Sequence, residues 1–475
     1  MLLFLSAWSL VRPRTPSSSH AGSAWQTAAA PCPLFTASDV KEAALGFGYG
    51  GGPVRRMEHL LAYYEQDGHA DGEGAELLRR LYVVEQAISR SSIPAAMRNR
   101  LRVSGRDPQA FEVQTSVGIW SRYLPSESLA FNRVRSQRFG SGFARRPSEG
   151  GALDADMARM RCDAPGASDF CDVRNRTMAD ERIGYVEGEN ALAFANMGRL
   201  NALHAVVATR VFVHPLHLAR TDVVGLFTVA NEWFEAARLA HPTEARFPTL
   251  TWDLLRNGGA SQAHPHVQPH LARSRYPGRW EAYRRAACDY ASHHRGGSLF
   301  ADVARTHARL GLVVRRTRRV VAFVALTSVA AGPMIELFAD GTPPTAAASS
   351  ASVGPAAAAA AGGSAAALAR EIGEVTHDLI LAAQQALGWD GLSMSCAFPP
   401  TAEAGGAAAA GLPRICRLVP RGTYSGAVSD VSANELFETP SVAVDLFEAA
   451  RKMRHQMRAA AQGHPEGGAD MGRSA

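Results

Sequence analysis

Residues Asn257–Gln268 read NGGASQAHPHVQ and directly follow the strand candidate Phe247–Leu255. Within this stretch His264, His266 and Gln268 alternate, and alternate residues of an extended strand share one face. The small residues that precede them, Asn-Gly-Gly-Ala-Ser, let a backbone approach a phosphate closely. The stretch therefore predicts a strand that points three polar side chains into one site. The loop that precedes this strand is suited to binding an anion.

These side chains suit group transfer at phosphorus. Imidazole is a good nucleophile near neutral pH, because its unperturbed pKa of about 6.5 leaves much of it uncharged. A carbonyl group that accepts from the other ring nitrogen would fix the tautomer. The amide of Gln268 can donate to a phosphoryl oxygen without supplying an easily transferred proton. The pattern predicts a phosphohistidine adduct that is kept for an acceptor phosphate rather than lost to water.

The order of elements around the stretch predicts an α+β fold with antiparallel sheets and packed helices. Upstream, the sequence predicts strands at Ile183–Glu187, Ala191–Ala195 and His204–Val213 and a helix at Val223–Ala240. A similar succession follows, with helices at Tyr283–Leu310, Leu368–Leu387 and Val442–Met453 and strands at Gly311–Arg315, Val320–Leu326, Met334–Phe338, Leu392–Pro399 and Arg414–Val419. We therefore expect two duplicated units, as a hypothesis, since no fixed-period repeat is visible.

Composition divides the rest of the chain into segments. Residues 1–38 are predicted to be a targeting or disordered segment, and residues 39–165 a helical and irregular region, helical over Met57–Ile93 and loop-rich over 104–165. The catalytic unit is expected at 166–282 and the second unit at 283–455, with a flexible Ala/Gly/Ser/Pro insertion at 342–367 and another at Thr401–Gly411. Residues 456–475 are expected to be a disordered tail.

NGGASQAHPHVQ resembles the active-site motif of the histidine-triad superfamily. More narrowly it resembles the His-x-His-x-Gln transferase branch, which includes galactose-1-phosphate uridylyltransferases and diadenosine-tetraphosphate phosphorylases. His-Pro-His is similar to the former and Gly-Ala-Ser-Gln to the latter. The resemblance implies histidine-triad-like units, with His266 as the nucleophile, Gln268 as the partner of a phosphoryl oxygen and His264 as the orienting histidine. It also implies a set of substrate-binding residues: Asn257, Gly258, Gly259, Ser261 and Gln262.

The resemblance implies a nucleotidyltransferase whose donor is a nucleotide sugar or a dinucleoside polyphosphate, with a sugar 1-phosphate or phosphate as the acceptor. It does not choose the base. One alternative is a nucleotide hydrolase, disfavoured because hydrolases of the superfamily have a third histidine where this chain has Gln268. Another is a non-catalytic nucleotide- or RNA-binding protein. A homodimer is compatible with the resemblance.

The cysteines do not form a disulfide framework by their spacing, and we expect free thiols. The six are Cys32, Cys162, Cys171, Cys288, Cys396 and Cys416. The uridylyltransferases often hold a structural zinc through a Cys-x-x-Cys pair and two histidines. Here Cys162 and Cys171 are nine positions apart, so zinc is disfavoured and no other cofactor is expected. If zinc is retained, the candidate ligands are Cys171, His214 or His217, and His264.

The positive charge is compatible with small anionic substrates, and nucleic-acid binding is not expected. The chain has 475 residues and a formal net charge of +6, but the densest basic run, Arg315–Arg319, is short. No stretch of about 18 apolar residues exists, so no transmembrane helix is predicted and a soluble protein is expected. The start of the chain, apolar at Leu2–Val11 and then acid-poor and rich in Ser and Ala, fits a secretory signal, a transit peptide or an incorrectly assigned start. Its composition favours an organellar transit peptide.

Overall fold

The N-terminal portion forms a small sheet with helices around it. The computed structural model describes residues 33, 35–43, 52–66, 72–137, 151–165, 167–341, 355–401, 412–422, 424 and 431–462. The first strands are β1 (Tyr82–Arg90), β2 (Val113–Ser121) and β3 (Ser128–Asn132). The helices are α1 (Ala37–Glu42), α2 (Leu60–Tyr64), α3 (Gly72–Leu81), α4 (Ala95–Val103), α5 (Pro108–Glu112) and α6 (Gly151–Met160). The prediction of helical structure over Met57–Ile93 is wrong from Tyr82 onward, because β1 pairs along its whole length with β2.

The first half of a larger sheet follows. Its elements are α7 (Val173–Arg176), β4 (Val186–Glu187), β5 (Ala191–Ala195), β6 (Leu203–Thr209), α8 (Arg220–Ala240), β7 (Phe247–Leu254) and β8 (His266–Ala272). Helix α8 begins where the carboxylate of Asp222 accepts from the backbone N–H of Ala219 at 2.8 Å, which satisfies a free amide of the first turn. Its apolar stripe packs on β5, β6 and β8.

The second half repeats this succession. Its elements are α9 (Gly278–His293), α10 (Leu299–Arg309), β9 (Val313–Arg316), β10 (Val320–Val324), β11 (Ile335–Ala339), α11 (Pro355–Leu387), β12 (Leu392–Ala397), β13 (Arg414–Pro420), α12 (Ala433–Phe437), β14 (Ser441–Val442) and α13 (Leu446–Ala461). Strand β14 returns to the small sheet and pairs with β3 in parallel. Helices α8 and α11 pack against each other.

The strand order shows that the two halves are duplicates. The ten-stranded sheet runs β4-β5-β6-β8-β7-β12-β13-β11-β10-β9. Read from each outer edge inward, both halves have three consecutive strands, then the fifth, then the fourth. The halves join where β7 pairs with β12, and Thr251 lies opposite Ser395. Every pair in this sheet is antiparallel. The predicted α+β fold with duplicated units is confirmed.

Three segments expected to lack structure contain helical or buried residues. Helix α11 begins at Pro355, inside the insertion predicted at 342–367, because its alanines are strong helix formers. Helix α13 continues to Ala461, inside the predicted tail. Within the predicted N-terminal segment Phe35 is fully buried. Residues 1–32, 34, 342–354, 402–411 and 463–475 lie outside the described residues.

All described residues belong to one compact unit, and the predicted boundaries at 165/166 and 282/283 remain predictions. Among these residues, no helix has both the length and the apolar character needed to cross a membrane.

Candidate functional site

His266 is the first residue of β8 and is held as a neutral imidazole with one free nitrogen. Its Nδ1–H donates to the carbonyl oxygen of His264 at 2.8 Å, so the lone pair is on Nε2. The side chain is 7% exposed. Burial lowers the pKa of His266, although the His264 carbonyl and the Asp253 carboxylate act in the opposite direction. The ring therefore has the protonation state that attack on phosphorus requires.

His264 precedes the strand and has the opposite tautomer. Its Nε2–H donates to the carbonyl oxygen of Thr209 at 2.8 Å, which leaves the lone pair on Nδ1. That atom lies 3.8 Å from the Sγ of Cys171. Burial lowers the pKa of His264 to about 4, so this ring is also neutral near pH 7.

Aromatic rings enclose the two histidines. Phe170 stands edge-on to His266, with ring centroids 5.2 Å apart, and to His264 at 5.8 Å. Phe212 contacts His264 from another side at 5.7 Å. These apolar walls exclude water from the imidazoles, which is why burial is the largest influence on both pKa values.

Gln268 lies on the same face of β8, as the alternation predicts. Its Oε1 accepts from Nδ2 of Asn196 at 2.9 Å, and Nε2 of His204 lies 3.1 Å from the same oxygen. Gln268 is half-buried. The carbonyl of the amide is thus occupied by protein donors, and its NH₂ group is the part left for a ligand.

His270 extends the row and was missed by the sequence analysis. It stacks on His204 with ring centroids 3.9 Å apart, and its Nε2 lies 3.4 Å from the hydroxyl of Thr251. Burial lowers the pKa of His270 to about 3. Continuing the alternation by one step, from Gln268 to His270, would have found it. No such signal exists for His204 or Asn196, which are distant in sequence.

The loop before the strand is anchored to the second half. Asn257 donates through Nδ2 to the carbonyl of Arg421 at 2.9 Å. The carbonyl of Gly258 accepts from Ser393 at 2.8 Å and from Arg421 at 2.9 Å. A Cβ at Gly258 would lie 2.6 Å from the carbonyl oxygen of Leu392, so the glycine is required for packing. The predicted phosphate contacts of Asn257 and Gly258 remain predictions.

The other predicted substrate-binding residues are more open. Gly259 is exposed and has φ 111°, with the Asp253 carboxylate 3.5–3.7 Å from a Cβ placed there. Ser261 is exposed, and Gln262 accepts from the hydroxyl of Ser168 at 3.2 Å. The preceding Leu255 has φ 68° and ψ 168°, a conformation that costs a non-glycine residue about 1–3 kcal/mol. This sharp bend turns the loop away from β7.

The equivalent strand of the second half lacks these groups. Strand β13 reads RICRLVP and contains no histidine or glutamine. On this strand Arg417 is buried. It pairs with Glu127 at 3.0 Å and with Glu336 at 2.7 Å. An ion-pair cluster thus occupies β13, so only the first half carries the histidines and glutamine of the candidate active site.

The expectation of free thiols is wrong for the five described cysteines, all of which are disulfide-bonded, Cys288 among them. Cys162 is bonded to Cys171 and Cys396 to Cys416, and no free cysteine occurs among the described residues. The first pair joins the end of α6 to the short helix at Asp169–Cys171. Sequence spacing did not indicate it, because the contact depends on how these two helices pack.

A metal could use the same atoms. One ligand atom each from Cys162, Cys171 and His264 lies within 4.8 Å of the others, and the free Nδ1 of His264 faces the sulfur. Reduction would supply two thiolates, so this donor set fits zinc. The other candidates are outside the cluster: His214 lies 3.4 Å from Asp154 and stacks on His217.

Protein with the Cys162–Cys171 bond intact should contain well under one equivalent of zinc, because a disulfide sulfur, unlike a thiolate, is a poor zinc ligand and His264 is then the one donor left in the cluster. Elemental analysis alongside thiol titration, before and after reduction, measures this. The matched control is the double variant Cys396→Ala/Cys416→Ala, which removes the other disulfide. That disulfide lies outside the cluster of Cys162, Cys171 and His264. Stoichiometric zinc that is lost in Cys171→Ser and kept in the control would show that the site is a metal centre.

No family model matches the sequence, and no curated protein is a significant match. Solved structures are similar at low identity. One is an ADP-glucose phosphorylase from Arabidopsis thaliana with bound ADP-glucose, at TM-score 0.49 and 13% identity over 70% of this chain and 96% of that chain. A galt-like protein from Arabidopsis thaliana has TM-score 0.47 and 12% identity over 70% and 96%. A uridylyltransferase has TM-score 0.44 and 15% identity over 59% and 88%. Such identities assign no activity, so function depends on the residues of the site.

Proposed function

We propose that this chain is a nucleotidyltransferase that works by double displacement through a nucleotidyl adduct on His266. The observation that carries the proposal is the hydrogen bond from Nδ1 of His266 to the His264 carbonyl at 2.8 Å. It fixes the tautomer with its lone pair on Nε2, in a ring that burial keeps neutral. No base is needed to activate this nucleophile.

In the first step Nε2 forms a bond to the phosphorus of the donor nucleotide, and the bond from that phosphorus to the bridging oxygen breaks. The leaving phosphate takes the electron pair. In the second step a phosphate oxygen of the acceptor attacks the same phosphorus and the P–N bond breaks, which restores the neutral imidazole. The adduct carries a positive ring charge. The His264 carbonyl and the Asp253 carboxylate, both of which favour a cationic ring, would stabilise that charge.

The donor class is a nucleotide sugar or dinucleoside polyphosphate, and the acceptor class is a sugar 1-phosphate or phosphate. This choice is supported by the enclosed imidazole, by the non-titrating amide of Gln268 and by the resemblance of NGGASQAHPHVQ to the transferase motif. The amide would donate to the phosphoryl oxygen without activating water.

Incubation with donors labelled at the α-phosphorus tests the proposal. Uridine, adenosine and guanosine nucleotide sugars and dinucleoside polyphosphates are each mixed with the protein without acceptor. We expect up to one label per chain, stable to alkali and released by acid, as for a phosphoramidate on histidine. Adding the matching acceptor should discharge the label into product. Absence of label with every donor, together with release of free mononucleotide, would instead show a hydrolase.

A further inference from the structure

Two side chains from outside the motif converge on the amide of Gln268. His204 is the second residue of β6, and Asn196 directly follows β5. Nε2 of His204 lies 3.1 Å from Oε1 of Gln268, and Nδ2 of Asn196 lies 2.9 Å from the same atom. Their own orientations are set by the backbone of the turn between β5 and β6.

The proton on His204 is placed by geometry. The backbone N–H of Leu200 can only donate, and it donates to Nδ1 of His204 at 3.1 Å. A neutral imidazole that accepts at one nitrogen carries its proton on the other. Nε2 of His204 is therefore a donor, and the atom it faces in Gln268 must be the carbonyl oxygen.

Asn196 gives the same answer. Its Nδ2 also lies 3.0 Å from Nε2 of His204, but that nitrogen cannot accept while it carries the proton. The backbone N–H of Gly198 donates to Oδ1 of Asn196 at 2.8 Å, which turns Nδ2 of Asn196 toward Gln268. Two donors fixed by two different backbone amides thus select the same orientation of the Gln268 amide. The flipped orientation would place its NH₂ against both donors.

His204 is also in a setting where water would not replace it. Its side chain is 3% exposed, and His270 stacks on its ring at 3.9 Å. A buried acceptor that loses its donor is left unsatisfied. The orientation of Gln268 therefore depends on His204 and Asn196 being present.

We propose that His204 and Asn196 are positioning residues that hold Gln268 with its carbonyl oxygen toward the β5–β6 turn and its NH₂ toward the phosphoryl group at His266. The inference rests on the proposed function for its catalytic consequence. A flipped amide has the same shape but presents oxygen lone pairs to the phosphoryl oxygens, so it repels the group that the native orientation binds.

Single-turnover adduct formation in His204→Leu should be slower by about fivefold to tenfold, the loss expected for one hydrogen bond. His204→Gln keeps an N–H donor near the position of Nε2 and should recover most of the rate. In a Gln268→Leu background, His204→Leu should have no further effect, because the residue acts through that amide. Additive losses in this cycle would overturn the proposal.

The matched control is His307→Leu. His307 is another fully buried histidine, and its Nε2 accepts from the backbone N–H of Leu326 at 3.1 Å. It lies on α10, outside the candidate site. We expect a comparable loss of thermal stability and an unchanged rate of adduct formation. Should His204→Leu not fold, the isosteric Asn196→Asp replaces the second donor by an acceptor and should slow the reaction in the same way.

A spectroscopic readout separates this inference from the proposed function. With glutamine ¹⁵N-labelled at its side chain, the Gln268 NH₂ signals are identified by their absence in Gln268→Leu. They should move in His204→Leu and Asn196→Asp and stay in place in His307→Leu. Unmoved signals in both site variants would overturn the positioning role. Moved signals in a protein that forms no adduct would confirm the contact and reject the proposed function.

Discussion

His266→Ala should abolish the labelled adduct and lower nucleotidyl transfer by on the order of 10⁴-fold or more, as for the loss of an enzymic nucleophile. The motif has two imidazole lone pairs. The one on Nδ1 of His264 faces the Cys171 sulfur, whereas the one on Nε2 of His266 is on the side of the ring opposite the His264 carbonyl. Alanine offers no atom that forms a bond to phosphorus. Single-turnover labelling and steady-state transfer, each measured on folded protein, give the two values.

The control is His217→Ala, which removes a histidine that stacks on His214 outside the three-residue cysteine–histidine cluster. It should keep both label and transfer.

The pH profile of adduct formation supplies a second check. Burial lowers the pKa of His266 from 6.5, so the neutral nucleophile persists to lower pH than in an exposed histidine. The rate of adduct formation should therefore decline only at a lower pH than the titration of an exposed histidine would give. A His266→Ala protein that is folded and retains label would reject the mechanism.

The sequence predicted that His266 and Gln268 share one face of a strand, because strand geometry is local. A period of two determines which side chains share a face. Strand β8 begins at His266, so His264 lies just before it. The tautomer was also accessible, because His264 supplies its carbonyl from two residues away. Both features depend on neighbours within one short segment.

What the sequence did not reveal depends on contacts between distant segments. The His204–Gln268 contact joins residues 64 positions apart, and nothing in either segment alone indicates it. The strands of the small sheet were missed for a related reason. The apolar residues around Val84 and Ile88 also fit a helical period, and pairing with β2 overrides that weak local preference. The cysteine pairs depend on packing in the same way.

The duplication, in contrast, could be predicted from the sequence. The succession of strands and helices indicated two units although no repeat was visible, because topology constrains element order more strongly than residue identity. The second half has the same strand order as the first. Its strands carry the ion pair of Arg417 and Glu336 in place of histidines and glutamine. One half of the fold thus carries the candidate site, and the other contributes Arg421 and Ser393 to anchor the loop at Gly258.

Gln268→His should shift the product ratio from transfer toward hydrolysis. An amide does not titrate in the working range, so in the proposed mechanism position 268 supplies no proton shuttle to the adduct. At position 268 an imidazole would meet the donors of His204 and Asn196, so the nitrogen that faces them must accept. Its other nitrogen would then carry the proton and face the phosphoryl group, where it can exchange a proton with water or a leaving group.

The measured quantity is the ratio of transfer to hydrolysis products from one labelled donor, with phosphate and a sugar 1-phosphate present at millimolar concentration. Wild type should give mostly transfer, and Gln268→His should lower the ratio by about tenfold or more, the scale of general acid–base assistance. Gln268→Leu is the matched control, because it removes the amide without adding a titrating group. It should slow both reactions together and leave the ratio near that of wild type. If wild type already yields almost only free mononucleotide with both acceptors present, the chain is a hydrolase and the role assigned to Gln268 is wrong.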